Sequence, residues 1–474
     1  MDTVHHPLIP NAGLILLRAE WFDTVVALPG LADTVKADEQ RIQEKLSESI
    51  RIAHSWVINS PLSLANAVRE IKQCELDLLI LLFQVWAEDY YLQPIVEAIG
   101  KTPLALWCYQ PWKTLPEKLS FGEVLRGSGL VGTLEGLGTL RNLGHPYFFT
   151  WGSPDDERPF KELNLFAKVA SVRNQLKKAQ FGLLPQRNEQ MQSTFVDEFR
   201  LRSKLGPSVQ YLSVGDLSAA AHAVSKEELE EYLDYIKEHY PLRGVSIDAL
   251  TNAARASLGL AHLALDRNLD ILSFDDIADE THRVLGLRPC LYPPLLFDKP
   301  VAITLEGDLG AATAAFILQR LTMSAVFFVE FWVWDEQANY LIGGHAGAQN
   351  PRVALPEQIW ISPDYEFAQS DRWEGAQLQF IAKPGRITLL QLRGTPTGWQ
   401  ALAFGGESLG GNPRLEGYPH ALIRPDAALG SLLEVFARIG TTQHFAMVYG
   451  DVLGEVEELG KLLNIPVSII QPGS

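Results

Sequence analysis

The stretch Thr304-Leu-Glu306-Gly-Asp308-Leu-Gly-Ala-Ala-Thr-Ala-Ala-Phe-Ile-Leu-Gln-Arg320 stands where the chain changes its texture. It opens as the end of an apolar segment, passes two carboxylates, and becomes an alanine-rich helix with Asp308 as its N-cap. Upstream, short apolar runs at residues 13–17, 78–85, 103–108, 147–151, 180–184, 209–214 and 269–274 read as strands. They alternate with charged stretches of helical spacing, including 36–57, 160–178, 226–239 and 247–265. Alternation of this kind builds parallel sheets with right-handed crossovers. Seven such units are too many for one compact sheet, so a boundary is expected near residue 178, after a long charged helix. Downstream of residue 320, strands at 326–334, 340–343, 378–381, 387–393 and 421–423 follow one another without long helices between them. A helix at 427–439, a strand at 445–449 and a helix-plus-strand over 454–470 come last. The C-terminal third is therefore mostly antiparallel β.

At 474 residues the chain calls for two to four domains. Its net charge of −17 argues against a nucleic-acid partner, which needs clustered Lys and Arg. The N-terminal apolar stretch 8–17 is broken by Pro10 and closed by Arg18 and Glu20, so it reads neither as a secretion signal nor as a membrane span. Other apolar runs are strand-length. A cytoplasmic protein without a membrane partner is expected. The three cysteines, Cys74, Cys108 and Cys290, lack zinc-like spacing and suit a reducing compartment as buried structural thiols.

Two glycine- or acid-rich strings invite a site. Gly127-Ser-Gly129-Leu-Val-Gly132 matches a dinucleotide fingerprint as letters, but that chemistry needs a strand directly before it. The preceding 122–126 looks helical or loop-like, so a flexible turn is the better reading. Glu306 is different, because a carboxylate at a strand end beside a helix start sits in a cleft. Next, Phe327-Phe-Val-Glu330-Phe-Trp-Val-Trp334 is apolar enough to be buried on both faces, and a Glu in its middle must be paired, protonated or metal-bound. After a turn at 335–339, the return strand Tyr340-Leu-Ile-Gly-Gly-His345 brings His345 towards Glu330. Finally, Thr441-Thr-Gln-His444-Phe places a second His at the mouth of an apolar strand. Taken singly, each His also fits a hydrogen-bonded core or surface residue. Together, two carboxylates and two imidazoles make a case for one divalent metal of the Mn²⁺ type rather than a thiolate zinc site.

These motifs, in this order and approximate spacing, resemble L-arabinose isomerase and its relative L-fucose isomerase. The likeness covers roughly residues 75 to 470 and is strongest over 304–350. Ser213-Val-Gly215-Asp216-Leu217, Phe181-Gly182 with Gln190-Met191, and Ser273-Phe274-Asp275-Asp276 are similar to further family segments. The resemblance implies that Glu306, Glu330, His345 and His444 hold a divalent metal, most often Mn²⁺ with Co²⁺ and Mg²⁺ as alternatives, and that the two glutamates move the proton. It implies sugar contacts from Gln110, Met191 and Phe274, with Arg18 and Trp21 as positional guesses. It also implies two Rossmann-like α/β domains, 1–178 and 179–302, a β-rich barrel-like domain over 303–474, and a homo-trimer or homo-hexamer.

The departures concern the sugar. The family's N-terminal Gln-His-Leu-Tyr segment is replaced by Leu17-Arg18-Ala-Glu20-Trp21-Phe22, the acidic residue after the second Glu by Phe331, and a double His by Gln443-His444. The reading is therefore an aldose–ketose isomerase working through an enediolate on an open-chain, unphosphorylated pentose or deoxyhexose. L-Arabinose itself does not follow. Alternatives are a sugar-binding or regulatory protein on the same fold, a C2 epimerase, or a nicotinamide enzyme using 127–132.

Overall fold

The structure is a computed structural model, and it describes residues 9–24, 28–299, 301–366 and 375–471. The chain divides into two compact units, one over Pro7–Asn174 and the other taking up the chain from Gln175.

The first unit is built on five parallel strands, β1 (Asn11–Leu17), β2 (Arg51–Ile58), β3 (Leu78–Phe83), β4 (Leu104–Tyr109) and β5 (Phe148–Gly152), in the order β2-β1-β3-β4-β5. β3 is buried along its whole length, as Leu-Leu-Ile-Leu-Leu-Phe requires of a central parallel strand. The expected helix over 36–57 is two elements, a helix at Leu31–Ser47 and then β2. β2 lies at the sheet edge, where Arg51, Ala53, His54 and Ser55 are exposed, so its polar residues imitated a helix face. The glycine string 127–132 joins two helices, Phe121–Arg126 and Gly129–Leu143. A Cβ at Gly129 would stand 2.3 Å from the Phe83 carbonyl oxygen, and one at Gly132 2.5 Å from the Phe83 ring. Those glycines let a helix lie directly on the end of β3.

The second unit holds two sheets. Four parallel strands, β6 (Gln180–Leu184), β7 (Ser208–Tyr211), β8 (Ile271–Phe274) and β9 (Ala302–Leu305), run in the order β7-β6-β8-β9. The other sheet contains β10 (Phe327–Asp335), β11 (Tyr340–Gly344), β12 (Ala354–Pro363), β13 (Ala376–Ala382), β14 (Gly385–Thr395), β15 (Gly398–Ser408), β16 (His420–Pro425), β17 (Phe445–Tyr449) and β18 (Val467–Ile470). Its order is β12-β13-β16-β11-β10-β17-β14-β15-β18, and β15 also pairs with β16. The strands β16-β11-β10-β17-β14-β15 therefore close on themselves as a six-stranded barrel. The fold is α/β with two parallel sheets and a β-rich, mostly antiparallel C-terminal part.

Alternation divides the barrel strands into two faces. Phe327, Val329, Leu389, Phe404, Phe445 and Met447 belong to one core. Phe328, on the other face of β10, joins Leu305, Phe274 and Ala311 in the core of the four-stranded sheet. The almost wholly buried helix Leu309–Thr322 packs against β14 and β17 on one side and β8 and β9 on the other. Glu306 thus rises from the edge strand of the parallel sheet, and the sequence boundary at 302/303 falls inside β9. β10 is buried only over Phe327–Val329. Its register slips between Phe331 and Val333, and Trp332, Val333 and Trp334 are exposed, contrary to the reading of a strand covered on both faces.

Candidate metal centre

β9 delivers the chain to Glu306, whose φ of 57° is left-handed. That conformation costs an L residue roughly 1–2 kcal/mol. Gly307 continues the turn at φ 66°, and a Cβ there would stand 2.4 Å from the Gln186 carbonyl oxygen. Asp308 ends the turn, and its Oδ1 accepts from the Ala311 N–H at 2.9 Å, which makes it the N-cap its sequence position suggests. Its Oδ2 lies 2.9 Å from Nδ1 of His444, which precedes β17. A carboxylate here can only accept, so His444 Nδ1 carries the proton and Nε2 is left to face the site.

The hairpin of β10 and β11 pairs Glu330 with Gly344, immediately before His345. His345 Nδ1 is 3.0 Å from the Ala346 carbonyl oxygen, which again fixes the proton on Nδ1 and frees Nε2. His345 Nε2 lies 3.7 Å from Glu306 Oε1 and 4.0 Å from Glu330 Oε1, and His444 Nε2 lies 2.9 Å from Glu306 Oε2. One donor atom each from Glu306, His345 and His444 falls within 4.8 Å of the others. Glu330 stands to one side with its carboxylate more open, 23% exposed against 9% for Glu306. The close contact between His444 and Glu306 lacks the angle of a hydrogen bond. Glu306 Oε2, His345 Nε2 and His444 Nε2 are consequently all buried without a hydrogen-bond partner among the described residues. Three orphaned polar atoms aimed at one point, two of them imidazole nitrogens oriented from behind, are what a bound cation satisfies. The residues present fit a divalent metal.

The electrostatics agree. Burial opposes charge on His444, yet the Asp308 and Glu306 carboxylates, each 2.9 Å from one of its ring nitrogens, overcome it and push its pKa up to about 9. Burial alone would raise Glu306, but the two imidazoles hold it below the usual carboxylate value. Glu330 is raised, first by burial. Burial also lowers His345. Asp275 and Asp276 are both pushed up to about 7, Asp275 by burial and then by Asp276 and Glu306, and Asp276 by burial against the pull of Arg288. Arg288, 1% exposed, grips Asp364 through Nε and Nη2 at 2.7 and 2.8 Å and approaches Asp276 at 3.4 Å and Glu366 at 2.5 Å.

No family model matches the chain. Individual proteins do. It is 24% identical over 390 residues to a sulfoquinovose isomerase of Alkalicoccus urumqiensis, covering 81% of this chain and 84% of that one. It is 23% identical over 423 residues to a sulfoquinovose isomerase of Priestia aryabhattai, covering 88% and 91%. An L-arabinose isomerase of Koribacter versatilis is 27% identical over 217 residues, or 42% of this chain and 41% of that enzyme. The chain is similar to sugar isomerases along most of its length. These likenesses carry the sugar-isomerase part of the sequence resemblance and do not extend it to L-fucose isomerase.

Among the sugar contacts expected from the isomerase resemblance, Met191 lies close to the centre. It is half-buried, and its Sδ accepts from Gln443 Nε2 at 3.3 Å, beside His444. Phe274 is placed differently. It is fully buried in the apolar core and paired with Leu305 on the strand that leads to Glu306, so it supports that strand. Gln110 follows β4 in the first unit and is half-buried, and Arg18 in that unit is paired with Asp23 at 3.0 Å. Trp21 packs on Trp86 with ring centroids 6.1 Å apart. Asp308 as the partner of His444 went unread, because the N-cap already explained it. So did Asn188, whose N–H approaches the Glu306 carbonyl oxygen at 3.4 Å and whose amide reaches Asp275 Oδ1 at 3.4 Å. Cys290 is buried as expected, while Cys74 and Cys108 are half-buried. Among the described residues no helix is long and apolar enough to cross a membrane.

Proposed function

We propose that this chain is a divalent-metal-dependent aldose–ketose isomerase acting on an open-chain sugar through an enediolate. The observation that carries the reading is the convergence of Glu306, His345 and His444 beside Glu330, in a chain similar to sulfoquinovose isomerases over about four-fifths of its length. Glu306, His345 and His444 would hold the cation, with Glu330 closing the fourth side. A divalent cation bound there supplies Lewis acidity for the sugar's carbonyl and for the charge that develops on the enediolate.

The two carboxylates divide the proton work. Glu330 is the more accessible, and burial raises its pKa, so it is the better base. It takes the proton from C2 and returns it to C1. Glu306 is kept ionised by the imidazoles and serves as a ligand through Oε2, while its other oxygen, Oε1, relays the hydroxyl proton between O2 and O1. Asp308 and the Ala346 carbonyl hold the imidazoles in the tautomer that leaves Nε2 free. Phe328 lies against both rings, with centroids 5.0 and 4.7 Å away, and helps exclude water.

The relatives make sulfoquinovose the first sugar to test and L-arabinose the second. Metal-loaded protein incubated in D₂O with a panel containing both, alongside other pentoses and deoxyhexoses, is followed by NMR at C1 and C2. Ketose formation or deuterium incorporation that stops with chelator supports the proposal and names the substrate. Silence across the panel with Mn²⁺, Co²⁺ and Mg²⁺ overturns it.

A further inference from the structure

A second cavity, of about 710 Å³, opens at the far end of the helix Leu309–Thr322. Ligand pockets span roughly 300–1,000 Å³, so its size suits a small metabolite. Twelve residues of helix at 1.5 Å each put Arg320 about 18 Å from Asp308, well away from the metal centre. We propose that this cavity binds a small dianion carrying phosphate or carboxylate groups.

The charge pattern is the first argument. Lys299, Arg320, Arg352, Lys383 and His239 line the cavity, and none of its described lining residues is Asp or Glu, in a chain whose net charge is −17. Two carboxylates just outside pair with this set, Asp270 with Arg320 at 2.6 Å and Asp298 with Arg352 at 3.3 Å. Four Lys and Arg charges less two carboxylates leave two positive charges, which a dianion matches.

The second argument is that the cations are already held in place. The Arg352 guanidinium sits 4.7 Å over the Phe297 ring and donates to the Phe297 carbonyl oxygen at 2.8 Å. Lys383 Nζ lies 5.0 Å over the Tyr449 ring and donates to the Arg352 carbonyl oxygen at 3.4 Å. Arg320 is 6% exposed, and its Nε has no hydrogen-bond partner among the described residues. Cations fixed on aromatic faces lose little freedom when an anion arrives, and the planar fork of arginine matches both phosphate and carboxylate. The inference is independent of the reaction at Glu306.

Calorimetric titration of the full chain with inorganic phosphate and with succinate, at fixed ionic strength, tests it. At least one should bind with a Kd below about 10 mM. Lys299→Glu and Arg352→Gln should each weaken that binding roughly tenfold or more. Lys299 is exposed, so its variant should keep the wild-type melting temperature and metal titration. Binding of phosphate alone, or succinate alone, identifies the headgroup the site prefers. Failure of both to bind, or binding that survives both substitutions, overturns the proposal.

Discussion

His444 and Asp308 are 136 positions apart in sequence and 2.9 Å apart in space, and the other oxygen of the same carboxylate caps the helix that starts there. Asp308→Asn separates these duties. The amide oxygen still caps the helix, so stability should change by less than about 1 kcal/mol. The amide NH₂ then faces His444 Nδ1 and forces the proton onto Nε2, the atom the cation needs. Metal affinity should fall about 10–100-fold, read by metal titration beside a thermal melt.

The raised pKa of His444 sets a pH dependence. With the folded pKa at about 9 against 6.5 for the free side chain, the protonated imidazole stabilises the metal-free fold fully below about pH 6.5. That contribution is lost as pH rises through about 9. Asp275 and Asp276, raised from 3.8 to about 7, act in the same direction but at lower pH, between about 4 and 7, because the fold prefers them protonated. The melting temperature of chelator-treated protein should therefore fall from pH 6.5 to 9.5.

Cation binding carries the opposite proton requirement, since Nε2 of His444 must be bare. Between about pH 7 and 8 each metal ion bound should release close to one proton. Calorimetry in buffers of different ionisation enthalpy measures the number, and a value near zero would contradict the assignment of His444 as a ligand.

Glu306 and Glu330 should fail differently when neutralised. Glu330→Gln should lower turnover by about 10²–10⁴-fold while metal still binds. Glu306→Gln should lose both turnover and most metal affinity. A near-normal rate in either variant would sink the two-carboxylate scheme.

Gly307→Ala tests the turn that aims Glu306. A Cβ at φ 66° is strained and would collide with the Gln186 carbonyl oxygen. The variant should lose more than about 1 kcal/mol of stability, and metal affinity should fall with it as Glu306 is displaced.

The parallel strands were legible because a buried run such as Leu78–Phe83 or Gln180–Leu184 has few other readings. β2 was not, because an edge strand with one wet face carries the polar residues of a helix surface. The exposed end of β10 escapes the sequence reading because Trp332-Val-Trp334 is apolar without being covered. The glutamates and histidines could be picked out by chemical cost, since a carboxylate in an apolar strand needs a partner. Asp308 could not, since its second contact is made across the fold and leaves no local mark. Phe274 rests on analogy of position, and only packing reveals that it faces inwards.

The candidate ligands come from two sheets. Glu306 leaves the end of parallel β9, whereas Glu330, His345 and His444 belong to the barrel strands and their margins. A cation held by all of them rivets one sheet to the other, and no fragment containing only one sheet can assemble the cluster. Assembly of the cluster thus requires strands more than a hundred residues apart in sequence to meet. A chain stalled before that point, with β17 not yet docked, would lack His444 and leave the cluster one donor short.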